Sequence, residues 1–249
     1  MPSLAEQLRT AREAGRAVEI AAADVPKSEA DVIAVQEEAL RVGGLTAGGW
    51  KAGPPPAGMQ DTGCAPLAAE WSVESGATVK AQGTPLLLES EFVLRFGKDV
   101  PPSAAPFTKD SIAEYIDAVA PGIELVWRRC ANPGGDETAL LYQADWNGHA
   151  GMILGQWRTD WQSFDLSQHP LVQHVNGAVH AEGTSAKTMN GHPLNVAAAL
   201  ANREARLGRT IKAGCWVTTG SCTGALEIQP GDRVRSEYGD LGFVEVQTV

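Results

Sequence analysis

Apolar and polar positions alternate most sharply over Leu86-Leu87-Leu88-Glu89-Ser90-Glu91-Phe92-Val93-Leu94-Arg95-Phe96, and this stretch reads as a β-strand. Successive strand side chains point to opposite faces, so Glu89 and Glu91 share a face about 7 Å apart along the chain. A second apolar run, Ile123-Glu124-Leu125-Val126-Trp127, also reads as a buried strand and carries one acid. Helical spacing governs the N-terminus. Leu4, Leu8 and Ala11 follow Ser3, with Glu6 placed for a capping box, and that helix should end near Gly15. Val32, Val35, Gln36, Ala39 and Leu40 follow Ser28 and stop at Gly43-Gly44. A third helix is expected from Thr108 through Ile112, Tyr115, Ile116 and Val119, ended by Pro121-Gly122. Residues 46–66 are dense in glycine and proline and predict a loop, with Lys51 its one cation.

The second half is turn-rich. It predicts a strand over 151–155, a hairpin around Asn176-Gly177, and a helix through Ala197, Leu200, Ala201 and Ala205 that stops at Gly208. Short strands then alternate with Gly220, Pro230-Gly231-Asp232, Gly239 and Gly242. Runs of strands beside a few segregated helices favour an α+β fold built on a β-sandwich or β-roll, and not a doubly wound one.

The acids change the picture. Carboxylates in apolar strands repel one another, and burying them unpaired costs several kcal/mol. A hard divalent cation such as Mg²⁺ or Mn²⁺ between them resolves the conflict, since carboxylate oxygens suit those ions. An edge strand with its polar face in water would give the same alternation for Glu89 and Glu91. Glu124 makes a third acid in an apolar run, and acids are almost never fully buried without a partner.

Composition adds exclusions. Of 249 residues, 43% are hydrophobic and 20% charged, as in a folded soluble domain, and the net charge of −10 argues against nucleic acid or an anionic membrane as partner. No run approaches the ~18 apolar residues of a membrane span. The first 13 residues are polar where a signal peptide needs an apolar segment, so a cytoplasmic location is expected. The four cysteines form no CxxC pair, which predicts reduced thiols and no zinc site.

In their order and spacing, several segments resemble the 2-oxopent-4-enoate hydratase / 4-oxalocrotonate decarboxylase group of the fumarylacetoacetate hydrolase superfamily. These are Gly48-Gly49-Trp50-Lys51-Ala52-Gly53, Glu89-Ser90-Glu91, Pro121-Gly122-Ile123-Glu124, Gly191-His192-Pro193-Leu194-Asn195, Lys212-Ala213-Gly214 with Thr219-Gly220-Ser221, and Pro230-Gly231-Asp232. The resemblance covers nearly the whole chain. It implies the superfamily's mixed β-sandwich/β-roll with flanking helices. It also implies a single catalytic domain over 1–249, with a helical and lid segment (1–70) and a β-rich metal-binding core (71–249). On the same ground Glu89, Glu91 and Glu124 match the positions that hold one Mg²⁺ or Mn²⁺, and Lys51 matches the active-site lysine. The implied activity is a hydratase of aromatic catabolism that adds water to a small 2-hydroxy-2,4-dienoate. A 4-oxalocrotonate-type decarboxylase, an acylpyruvate C–C hydrolase and a non-catalytic scaffold are the alternatives, and a homo-oligomer is expected.

The sequence departs from the family pattern in places that bear on substrate. Trp127 follows Glu124-Leu125-Val126 where a small or acidic residue is usual, and Asp145-Trp146-Asn147-Gly148-His149 replaces an Asp-Asn-Ala-Ser run. Trp127 and Trp146 could line a pocket, or they could be core or subunit contacts. Asp61 is the candidate for a missing lid acid, His149 for a substrate contact, and Ser221 and Thr223 for holding the substrate carboxylate, although that glycine-rich run would equally suit a plain turn. His192 reads as a structural turn residue, and Cys222 has no identifiable base beside it.

Overall fold

The computed structural model describes residues 2–55, 62–80, 83 and 85–249. α1 (Leu4–Ala14) begins at Ser3 with the expected capping box and closes on left-handed Gly15; α2 (Glu29–Gly43) begins at Ser28 and closes on left-handed Gly44. Together they bury Leu4, Leu8 and Val32 against Ile20 and Leu141. All four cysteines are free thiols. Among the described residues no helix is long and apolar enough to cross a membrane.

The predicted loop over 46–66 is instead largely an antiparallel pair, β1 (Ala47–Gly53) and β2 (Gly63–Ala68). The glycines of β1 serve close approach and not a turn. A Cβ on Gly49 would lie 2.3 Å from Cδ2 of Trp216, whose ring packs against the bare backbone. Lys51 therefore sits on a strand.

β3 (Ser72–Glu74) and β4 (Ala77–Val79) lead into β5 (Leu86–Phe96), the strand foreseen from the alternation. The expected third helix is only a five-residue α3 (Lys109–Ala113), and β6 (Ile116–Val126) takes up Ile116, Val119 and Pro121-Gly122. Local helical spacing loses here to long-range pairing, because β5 and β6 run antiparallel along their whole length. Pro121 removes one donor from the ladder, but its carbonyl still accepts from Gly155 N. Gly122 is needed for packing: a Cβ there would lie 2.4 Å from Met152 Cε and 2.5 Å from Val93 Cγ2. Gly122→Val is expected to lower stability by about 1–3 kcal/mol through overpacking. Urea unfolding measures it, and an unchanged midpoint would contradict this packing.

The remaining elements are α4 (Ala139–Ala144), β7 (His149–Leu154), β8 (Pro170–Val175), β9 (Ala178–Thr184), α5 (Pro193–Arg206), β10 (Trp216–Thr218), β11 (Leu226–Ile228), β12 (Arg233–Glu237) and β13 (Phe243–Thr248). The β8–β9 hairpin turns at Asn176 and Gly177, both with positive φ, as its sequence requires. His192 caps α5 by accepting from Leu194 N, a structural role as expected. One sheet runs β2-β1-β10-β5-β6-β7-β3, with β11 also on β5; the other runs β4-β13-β12-β8-β9. Leu88, Phe92, Ile123 and Leu125 of the first sheet share a core with Val234 and Val244 of the second and Leu200 of α5. This is the α+β, two-sheet architecture that the strand-rich pattern implied. Tyr238 ties its centre together, with its hydroxyl donating to Glu91 O at 2.9 Å and Gly122 O at 3.0 Å.

Candidate metal and catalytic site

The neighbours of β5 leave a gap at its middle. β10 pairs with Val93–Arg95 and β11 with Leu86–Leu88, so residues 89–92 face the connection between β10 and β11. That connection follows the strand closely: Thr219 Oγ1 donates to Phe92 O, Cys222 N to Ser90 O, and Gly220 N to Glu91 Oε2 at 2.8 Å. On the other side Glu89 stands directly opposite Glu124 in the β5–β6 ladder. Leu88, Ser90 and Phe92 turn to the core, and Glu89 and Glu91 take the opposite face.

Three carboxylates converge as a result. One oxygen from each of Glu89, Glu91 and Glu124 lies within 4.8 Å of the others. Glu91 and Glu124 are completely buried, and Oε1 of Glu91 has no hydrogen-bond partner among the described residues. Lys51 reaches the same point from β1, with Nζ 2.9 Å from Glu124 Oε2 and 3.8 Å from Glu89 Oε2.

The electrostatics follow from burial and crowding. Burial, then the charges of Glu124 and Glu89, holds Glu91 well above the usual carboxylate range. Burial also raises Glu89, against the pull of Lys51. For Glu124 burial acts upward too, but Lys51 and His149 outweigh it and the group falls below its ordinary value. Burial alone would lower Lys51, yet Glu124, Glu89 and Glu91 together hold it above its ordinary value as an ammonium. With all three ionised, the carboxylates beside one ammonium would carry excess negative charge in a buried place, which is what disfavours ionisation of Glu91 and Glu89 without a further cation. A hard oxygen donor set with an unpartnered carboxylate oxygen fits a divalent cation.

The other expected residues are distributed differently. His149, expected as a substrate contact, is fully buried, with Nδ1 2.8 Å from Glu124 Oε1. Trp127 belongs to the core on the opposite side of the sheet from the acids, packed against the backbone of Gly83, so it does not line the site. Trp146 is also core and lies 5.0 Å from the Trp71 ring. Ser221 and Thr223 lie on the connection beside Glu91, but both hydroxyls turn to the carbonyl of Gly224. Asp61 falls outside the described residues. Tyr142 of α4 was not foreseen. Its phenol is raised chiefly by burial and interacts with the charges of Lys51, Glu124 and Glu89. Nothing in the periodicity of 139–144 marks it, because only the fold brings that short helix to the site.

The fold and acid cluster define a class, and comparison with known proteins places the chain in it. The fumarylacetoacetate (FAA) hydrolase C-terminal family matches residues 67–249, and the chain belongs to this family. A 4-oxalocrotonate decarboxylase of Pseudomonas putida is 33% identical over 134 residues, 54% of this chain and 50% of that protein. A 2-oxo-hept-4-ene-1,7-dioate hydratase of Escherichia coli is 30% identical over 137 residues, 53% of this chain and 51% of that protein. These alignments thus span about half the length of each relative. The structure of 4-oxalocrotonate decarboxylase from Pseudomonas putida G7, complexed with magnesium and adipate, superimposes with a TM-score of 0.87 at 26% identity, covering 99% of this chain and 96% of that one. The resemblance drawn from the motifs is borne out.

Proposed function

We propose that this protein is a divalent-metal-dependent lyase that hydrates a small 2-hydroxy-2,4-dienoate (the enol of a 2-oxo-4-enoate) to a 4-hydroxy-2-oxo acid, by protonation at C5 to the conjugated 2-oxo-3-enoate and addition of water at C4. The observation that carries this reading is the convergence of Glu89, Glu91 and Glu124 with the ammonium of Lys51 in one buried place. We assign the three glutamates as ligands of Mg²⁺ or Mn²⁺. When bound, the metal would supply a Lewis acid for the substrate carboxylate and 2-oxygen. The hard part of the reaction is electronic: making or breaking bonds at C3 to C5 sends negative charge to the 2-oxygen. Lys51 keeps its proton on Nζ and is the residue we assign to screen that charge or deliver the proton to carbon. Glu124 holds the ammonium in place at 2.9 Å. Gly220 N fixes Glu91, so the carboxylate does not swing as charge develops. We propose further that the enzyme is a cytoplasmic homo-oligomer whose residues 1–249 form one catalytic domain.

A second reading, decarboxylation of a 4-oxalocrotonate-type diacid, is favoured by the whole-length structural similarity to the Pseudomonas putida G7 enzyme. Loss of CO₂ sends charge to the same 2-oxygen, so the same residues serve both reactions. Hydrolysis of an acylpyruvate needs a base for water, and no histidine precedes the metal acids Glu89 and Glu91. The test is turnover of 2-hydroxypenta-2,4-dienoate and of 4-oxalocrotonate, each with Mg²⁺ and with chelator. Chelator-sensitive loss of dienoate absorbance with formation of a 4-hydroxy-2-oxo acid is expected. CO₂ release from the diacid alone would assign the second reading, and inertness toward both would overturn the lyase.

A further inference from the structure

The turn before β7 is unusual. Trp146, Asn147 and Gly148 all have positive φ, at 54°, 51° and 74°. Asn147 and Gly148 suit this region, but Trp146 does not, and a left-handed residue with a bulky side chain costs about 1–2 kcal/mol. Such a conformation persists only where its surroundings over-determine it. Here the surroundings do so through Arg129, which is 4% exposed and grips both ends of the turn. Its backbone N and its Nε donate to the carboxylate of Asp145, Nη2 donates to Asp145 O, and Nη1 donates to His149 O at 2.6 Å. Trp71 stacks on the His149 ring at 6.2 Å and 22°, and Arg12 covers Trp71 at 3.5 Å from its centroid.

All of this converges on one contact. Nδ1 of His149 lies 2.8 Å from Glu124 Oε1, and in this contact the ring N–H donates to the carboxylate oxygen. The other oxygen, Oε2, faces Lys51.

We infer that the Arg129-clamped turn over 145–149 is a positioning device, in which His149 takes one oxygen of Glu124 and leaves Oε2 as the single oxygen available to a cation and to Lys51. This rests on the metal reading proposed above and deepens it: a segment where the sequence departs from the family pattern holds the third ligand in place, and His149 is a positioning residue that never touches substrate. A ligand held by a buried second partner loses about 10–100-fold in metal affinity when that partner is removed.

The experiment is Mg²⁺ titration calorimetry on wild type, His149→Ala, His149→Asn and His149→Gln, with thermal unfolding of each metal-free protein. Asn places an N–H donor near the position of Nδ1, whereas Gln places it near Nε2. Affinity should fall about 10–100-fold in His149→Ala and His149→Gln and stay within a few-fold of wild type in His149→Asn. A purely structural role would lower unfolding temperature without separating Asn from Gln. If wild type binds Mg²⁺ and the variants bind it equally well, or Asn and Gln behave alike, the positioning role is overturned alone. If wild type binds no Mg²⁺, the metal reading and the inference fall together. The Asn–Gln comparison decides the matter even if His149→Ala does not fold.

Discussion

Glu91→Gln is expected to abolish Mg²⁺-dependent turnover, by at least about 100-fold, while the protein keeps its fold. Glu91 is wholly buried, accepts from Gly220 N through Oε2, and has no hydrogen-bond partner for Oε1. Burial and the neighbouring acids already disfavour its charge, so a neutral amide of the same shape should leave the metal-free protein at least as stable. The loss should appear only where a cation is needed. Wild type should gain unfolding temperature with Mg²⁺, since an ion that binds the folded state stabilises it, and Glu91→Gln should lose that gain. Circular dichroism, thermal unfolding with and without Mg²⁺, and turnover together check it. Full activity in Glu91→Gln would remove Glu91 from the ligand set. A fall in metal-free stability of several kcal/mol would instead make its role structural.

Lys51→Met should separate chemistry from metal binding. Its ammonium is the one cation placed against the acids among the described residues, 2.9 Å from Glu124 Oε2. Removing a general acid typically costs about 10²–10⁴ in kcat. Cation affinity should be kept or tightened, because a positive charge that competes for Glu124 has gone. The metal-free variant should be less stable, since truncating one partner strands a buried charge, and Mg²⁺ should restore part of that stability. Steady-state kinetics and calorimetry on one preparation give both answers. A kcat within a few-fold of wild type would exclude Lys51 from proton transfer and charge screening alike.

How far the sequence alone carried this account depends on which interactions are local. Glu89, Glu91 and Glu124 stood out as charges in apolar strands, and the structure brings all three together. The helix caps at Ser3 and Ser28 and the Asn176-Gly177 turn were legible for the same reason, since each is decided within a few residues. Lys51 was not legible from its neighbourhood. Gly48-Gly49 reads as a loop until Trp216, 167 positions on from Gly49, is seen packed against that backbone. Likewise Ile116, Val119 and Pro121-Gly122 fit a helix and its stop, and only pairing with β5 makes them a strand. Arg129, Asp145 and His149 carry no spacing signal for a clamp on Glu124. Their meaning depends on a left-handed turn in which Asn147-Gly148 suit positive φ, as Asn176-Gly177 do, but which Trp146 gives no local reason to extend.

The most direct test of the central claim is calorimetric titration of the purified, chelator-treated protein with Mg²⁺, repeated on Glu91→Gln. The account predicts one ion per chain for wild type and none for the variant at the same concentrations. No binding by wild type, or equal binding by both proteins, would contradict it.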